Sequence, residues 1–534
     1  MAGGDRLSAL PDRTLRRVLS FLDVRDTPRT SVLSRRWRAL WRDEDAVNLD
    51  TRSYWDHDYN GETVGRVLFR DALAAVGAAG RCPVRKLSIH VESYYQIDYV
   101  EGVVRASPGM DAVLAAPAAR GLEELRVFLR AEFGERCYNY ALPASRFPFQ
   151  SLRVLDIAGF TLGPPGAAVF GRLETLKMVF IDSSVANLQA MLDAAPNLTR
   201  LWLEYLSFDS EELGEGVDSY AMMSKRRVLL RCPAATVAMT LSHCHRTDGL
   251  DLDAPGVCSL RYKGFLQHFP FSSTMPSGPP ANLRDAHLSF CTTRWCCGDP
   301  SGETPKHAMF WESIGVFSRL VVLKVKLLDI NDIAVHSEQE QVFLKVFPNL
   351  KFLQLKGSYE EDSYSAAVAI GNLLHCCPAL QELRLKFKIH RDLYATPSGW
   401  VRHSEERQAQ LDLEKSMESL QRLKLETRTP PSTGVDADRF DDGDLSALKV
   451  RWFPCLDNHL RKIRLEFKLE SFNCFDVKLT KFLVENAVAL EEMEVHDGDQ
   501  KVYNHVHHKL EIWRANSGKS KIKIVGKHNN ATSL

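Results

Sequence analysis

The chain contains no run of eighteen apolar residues, about the length a helix needs to cross a bilayer. Its opening, MAGGDRLSAL, has no charged stretch followed by an apolar core, so no secretory leader is expected. Both absences point to the cytosol or nucleus. Charge of neither sign is in excess: Lys plus Arg and Asp plus Glu number 68 each, which argues against nucleic acid as the partner of the whole chain. Twelve cysteines in 534 residues include no C-x-x-C pair, and in a reducing compartment they should stay free thiols.

Signatures of catalysis and ligand binding are missing too. Neither G-x-S-x-G nor H-E-x-x-H occurs, and Gly518-Lys519-Ser520 lacks the first glycine of a phosphate loop, since position 513 is Trp. His287, Cys291, Cys296, Cys297 and His307 cluster in sequence without the spacing of a tetrahedral zinc site. Asp438 to Lys449 follows a calcium loop only at Asp442 and Gly443, and Phe440 and Lys449 break it. His505, His507 and His508 suit a solvated strand end. No catalytic, metal or cofactor site is expected. With 45% apolar and 25% charged residues, the composition is that of a globular protein with several cores.

What is present is sharply divided. Residues 5–41 compress three short apolar helical patterns into fewer than forty positions. Pro11 and Asp12 open the first, where a missing N–H costs nothing and an acid suits the helix dipole. Leu15, Val18, Leu19 and Leu22 follow at i, i+3, i+4 and i+7. Asp26 is positioned to cap a second helix carrying Pro28, Val32 and Leu33, and Ser34 a third with Trp37, Leu40 and Trp41. Ten Arg against four Asp in residues 1–42 make this end basic. Three helices this short leave apolar surface uncovered, and a buried Leu or Val is worth roughly 1.5–3 kcal/mol, so a partner is expected.

The LP-x-x-x-L-x-x-x-L-S-F-L opening and T-S-V-L-S-R-R-W-R-x-L-W close resemble a plant-type F-box. The resemblance implies docking onto the Skp-type adaptor of a cullin-based ubiquitin ligase. The adaptor-binding residues it implies are Leu7, Leu10, Pro11, Leu15, Val18, Leu19, Leu22, Val32, Leu33, Trp37 and Trp41.

Downstream the chain repeats L-x-x-L-x-L. After a junction at 43–50 and a helix-like stretch from Thr63 to Ala79, with Val67, Leu68, Leu73 and Val76 apolar, residues 85–91 alternate as a half-buried strand does. LEELRVFL (122–129), SLRVLDIAGFTL (151–162), RLETLKMVFI (172–181) and NLTRLWLEYL (197–206) follow. NLRDAHLSF (282–290), RLVVLKVKLL (319–328), NLKFLQLKGS (349–358), ALQELRLKFKI (379–389) and SLQRLKLE (419–426) continue the series. In a leucine-rich repeat such positions fill one layer of a continuous core, with helical segments such as 185–192 on the way back. Leu152 to Leu173 is 21 residues and Leu350 to Leu380 is 30, so the repeats are degenerate, with inserts at 267–280, 292–304 and 427–444. Cys232-Pro233 and Cys377-Pro378 are expected where apolar helices end, after Leu229-Leu230 and Leu373-Leu374. From Trp452 to about 525 the chain resembles the FBD region that follows leucine-rich repeats in plant F-box proteins.

The expected fold is α/β, a three-helix F-box followed by an irregular solenoid, or horseshoe, of strand-loop-helix units. The expected divisions are 1–45 (F-box), 46–120 (junction and first units), 121–450 (solenoid) and 451–534 (FBD-like cap). The resemblance implies a non-catalytic, substrate-recognising subunit of a cullin-based ligase, with an adaptor, a cullin and a target protein as partners. A non-catalytic interaction scaffold and a ligand-sensing receptor are the alternatives.

Overall fold

A computed structural model describes residues 7, 9–41, 45–54, 61–78, 84–93, 108–131, 141–142, 147, 150–208, 228–244, 250–271, 278–291, 305–359, 363–389, 445–467, 475–497, 513 and 523–525. SLQRLKLE, the inserts at 292–304 and 427–444, Cys296, Cys297, the C-terminal histidines and Gly518-Lys519-Ser520 lie outside these residues. The chain forms two compact units, one of 1–305 with 312–324 and one of 306–311 with 325–534.

The first unit begins with α1 (Asp12–Leu19), α2 (Asp26–Arg29) and α3 (Arg35–Leu40). Ser34 caps α3 as expected, its hydroxyl accepting from the Trp37 N–H. Asp26 does not cap α2. It lies in the first turn, while the upstream Asp23 carboxylate accepts from the Arg25 N–H. After the helices comes a parallel sheet: β1 (Ala46–Asp50), β2 (Lys86–Ser93), β3 (Glu124–Ala131), β4 (Val154–Ala158), β5 (Thr175–Val179), β6 (Arg200–Glu204), β7 (Ala238–Ser242), β8 (Ser259–Gly264) and β9 (Asp285–Phe290), paired in that order. The register carries the leucine pattern across the sheet. Leu125, Leu155, Leu176, Leu201, Met239, Leu260 and Ala286 are successive partners, and so are Val127, Ile157, Met178, Leu203, Leu241, Tyr262 and Leu288. All of them are buried. Each layer thus rests on its neighbours, as a stacked-repeat core requires.

Helices return the chain between some strands. In α4 (Gly61–Ala78) the buried face is Leu68, Phe69, Ala72 and Val76; Leu73, expected inside, is exposed because it falls off that stripe. α5 (Pro108–Ala115) and α6 (Val185–Asp193) follow, the latter capped by Ser184.

Three parts of the first unit depart from the expectation. The junction at 43–50 contains β1, whose Val47 and Leu49 are buried. β7 and β8 add two layers in which other residues stand for Leu. Thr236 holds the leading position of β7, fully buried, and its hydroxyl donates to the Leu198 carbonyl at 2.9 Å. Val257 and Tyr262 play such parts around β8. Leu229-Leu230 belongs to the strand Val228–Arg231, paired with Leu250–Asp253, and not to a helix. Its burial alternates from residue to residue, as a strand's does.

The RLVVLKVKLL segment forms the strand Val322–Asp329. The second unit has its own run of parallel strands, β10 (Phe352–Tyr359), β11 (Glu382–Ile389), β12 (Lys462–Phe467), β13 (Glu492–Asp497) and β14 (Lys523–Val525). Leu353, Leu383, Ile463, Met493 and Ile524 are in register. β11 pairs directly with β12, so the FBD-like stretch adds further layers of the same kind. α7 (Ser363–Cys376) ends before Cys377-Pro378 as expected. Its buried Asn372 side chain accepts from the Val335 N–H and donates to the Val335 carbonyl, which leaves none of these groups without a partner. α8 (Phe475–Asn486) buries Leu479, Phe482 and Leu483.

Candidate adaptor and target surfaces

The three N-terminal helices are held by a small core of Leu15, Leu19, Trp37 and Leu40, with Leu10, Leu22 and Trp41 packed half-buried against it. Polar contacts lock the ends. The Arg36 guanidinium donates to the Asp12 carboxylate and to the Leu10 carbonyl, both at 2.6 Å, tying α3 to the start of α1. Trp41 Nε1 donates to the Ser31 hydroxyl at 2.7 Å. The helices are also anchored to β1. The Val24 N–H donates to the Asn48 carbonyl, and the Asn48 amide donates to the Ser20 and Leu22 carbonyls. The Arg25 guanidinium covers the Tyr54 ring at 4.3 Å. Next to this seam, Asp50 is partly buried, which alone would raise its pKa, yet hydrogen bonds from Arg52 and His90 bring it down to about 2.

This packing separates the eleven sequence-derived residues into two sets. Leu15, Leu19 and Trp37 are interior, and Leu10, Leu22 and Trp41 border that interior, so these side chains hold the helices together. Pro11 sits exposed at the start of α1. Leu7, Val18, Val32 and Leu33 face solvent, with Val32 87% and Leu33 56% exposed. Phe21 joins them at 73%, just past the end of α1. Periodicity does not single it out, because it lies one residue off the stripe of α1; the sequence signal for it is its place in the S-F-L of the motif. Several large apolar side chains exposed on one small helical segment point to an interaction surface.

The second surface is the open face of the first unit's sheet, opposite the leucine layers. Lys177 lies 3.3 Å from the Asp156 carboxylate, with its ammonium 5.3 Å from the centres of both the Phe128 and Trp202 rings. Burial raises the Asp156 pKa in spite of that lysine. Trp202 Nε1 donates to Glu204 at 3.0 Å. Immediately after β4, β5, β6 and β7 come Gly159, Phe180, Tyr205 and His243, all with left-handed backbone, φ between 51° and 84°. A side chain at Gly159 would meet the Leu129 carbonyl. At all four the N–H donates to the next layer's carbonyl, Gly159 to Val179, Phe180 to Glu204, Tyr205 to Ser242 and His243 to Lys263. This repeated conformation stacks the rings: Phe180 on Tyr205 at 4.5 Å and 7°, Tyr205 on His243 at 4.8 Å and 13°. Toward β9 the face turns basic. Burial first, and then Lys324 and Arg261, lower the His287 pKa; burial and Lys263 do so for His243.

Among the described residues no group of three His, Cys, Asp or Glu could hold a metal ion. The described cysteines are free, and burial pushes the thiols of Cys232, Cys244, Cys376 and Cys455 up to about 12.

A short helical unit with an exposed apolar group, followed by stacked strand layers, is the arrangement of an F-box joined to leucine-rich repeats. Comparison with known proteins agrees. The F-box domain family matches residues 7–46, and the family described as FBD-associated F-box protein At5g56370, LRR repeats, matches 110–214. The chain carries an F-box and leucine-rich repeats of the FBD-associated type. It is similar to the F-box/FBD/LRR-repeat protein At4g26340 of Arabidopsis thaliana, 28% identical over 39% of this chain and 45% of that protein. The putative F-box/LRR-repeat protein At3g58880 of the same plant is 23% identical over 72% of this chain and 77% of its own length. The FBD-associated F-box protein At5g18780, also from that plant, is 42% identical over 12% of this chain and 15% of its own. The chain thus spans less than half the length of At4g26340, the first of these relatives. No enzyme family is indicated, and F-box domains in general bind Skp-type adaptors.

Proposed function

We propose that this chain is the target-recognising subunit of a cullin-based ubiquitin ligase, acting in the cytosol or nucleus. Its F-box grips a Skp-type adaptor, and its repeats hold a protein target near the charged ubiquitin-conjugating enzyme. The chain itself makes or breaks no bond; it raises the effective concentration of target lysines. The observation that carries the reading is the exposure of Val18, Phe21, Val32 and Leu33 on a helical segment whose own core forms without them. Leu7 and Pro11 complete the proposed contact; Leu15, Leu19 and Trp37 support it from inside. The test is recovery of the full-length tagged chain from plant extract, with adaptor and cullin quantified together. Both should co-purify in comparable amounts. Adaptor without cullin would favour an interaction scaffold, and neither would defeat the assignment.

A further inference from the structure

We propose that the open face over β6 to β8 selects target segments in which an aromatic or large apolar residue precedes or follows an acidic one by three or four positions. This rests on the target-recognition reading above and names the chemistry that surface accepts. At one end of the patch Phe180 and Tyr205 are 38% and 40% exposed, and Trp202 on β6 is half-buried. Register places Arg261 two strands from Trp202, and Lys263 two strands from Glu204. Both cations are exposed, and neither forms an ion pair with a described residue. A carboxylate docked there meets exposed positive charge, so complementarity favours an acidic group at that end and an apolar one at the other.

The spacing follows from strand geometry. Strands lie about 4.8 Å apart, so β6 to β8 is about 10 Å and β5 to β8 about 14 Å. An extended segment crossing the strands advances about 3.3 Å per residue, which gives three to four residues between anchor and acid. Single-stranded nucleic acid fits less well. Its bases need free ring faces, whereas Tyr205 is stacked against both Phe180 and His243, and Glu204 beside Trp202 would repel phosphate. The exposed part of such a stack suits the side of an aromatic or aliphatic side chain.

The experiment uses the full-length chain on an array of twelve-residue peptides, each with one Phe and one Glu at separations of one to six, against the same peptides with Lys for Glu. A 12-nucleotide oligouridylate is the nucleic-acid probe. Retention should peak at separations of three and four, vanish in the Lys series, and fall about tenfold for Arg261→Glu with Lys263→Glu. Tyr205→Asn, which keeps a residue tolerant of positive φ, should lose the Phe dependence while its melting curve stays that of the unmodified chain. Equal retention of Glu and Lys peptides, indifference to the charge reversal, or stronger retention of oligouridylate would overturn the proposal. Adaptor recovery is scored on the same samples. Loss of Glu selectivity with adaptor retained counts against this inference alone, and selectivity without adaptor supports it while counting against the adaptor assignment.

Discussion

Thr236 occupies a position where the repeat pattern asks for Leu, and that makes it a severe test of the layer account. Its side chain is fully buried and its hydroxyl donates to the Leu198 carbonyl of the preceding layer at 2.9 Å. Thr236→Val keeps the shape and adds hydrophobicity, but leaves that carbonyl without its donor. A buried unsatisfied acceptor costs about 1–3 kcal/mol, which exceeds the gain from one extra methyl-like surface. Thr236→Ser keeps the hydrogen bond and removes one methyl, a loss of about 0.5–1.5 kcal/mol. Thr236→Leu loses the bond and overpacks the layer, so it should be the worst of the three. The assay is urea unfolding followed by circular dichroism, with amide hydrogen exchange over β6 and β7 to localise the effect. The expected order of midpoints is unmodified, Ser, Val, Leu. A Val variant as stable as the unmodified chain would refute the role assigned to this hydrogen bond.

Leu201→Asp places an unpaired carboxylate between the Leu176 and Met239 layers and should unfold or aggregate the chain; a dichroism spectrum and melt like those of the unmodified protein would remove Leu201 from the core. The buried thiols of Cys232, Cys244, Cys376 and Cys455, raised to about 12 by burial, should resist a thiol reagent at pH 8 in the native protein and react fully in denaturant. Asp476 is buried at the start of α8, and burial raises its pKa from 3.8 to about 7 against the opposing influence of the Tyr359 hydroxyl. The raised pKa means the folded state holds the proton more tightly, so its contribution is full below pH 4 and lost as pH rises through about 7. Asp476→Asn should therefore flatten the fall in stability over that window, and an unchanged profile would show that another group causes it.

The regular layers were legible because Leu at fixed spacing has one physical cause, the stacking of buried positions in a parallel sheet. Where that position is filled by Thr236, Val257 or Tyr262, the same geometry is met by a hydrogen bond or a larger ring, and the pattern by itself does not reveal it. β1 escaped notice because AVNLD is short and has no leading Leu. For the F-box, periodicity identified the apolar residues but not their fate. Leu19 and Val18 are adjacent in α1, yet one closes the core and the other faces water. The ring stack was beyond reach of the sequence, since Phe180, Tyr205 and His243 are brought together only by strand register and a shared left-handed turn.

The central claim is that solvent-facing residues of the F-box, and not its interior, form the adaptor contact. It is tested most directly by titrating a purified Skp-type adaptor into the full-length chain and into a Phe21→Glu, Val32→Glu double variant. Both side chains are outside the core, so the variant should melt as the unmodified chain does. Burying two carboxylates at a desolvated interface should weaken binding at least about a hundredfold. Unaltered affinity in a folded double variant would contradict the account.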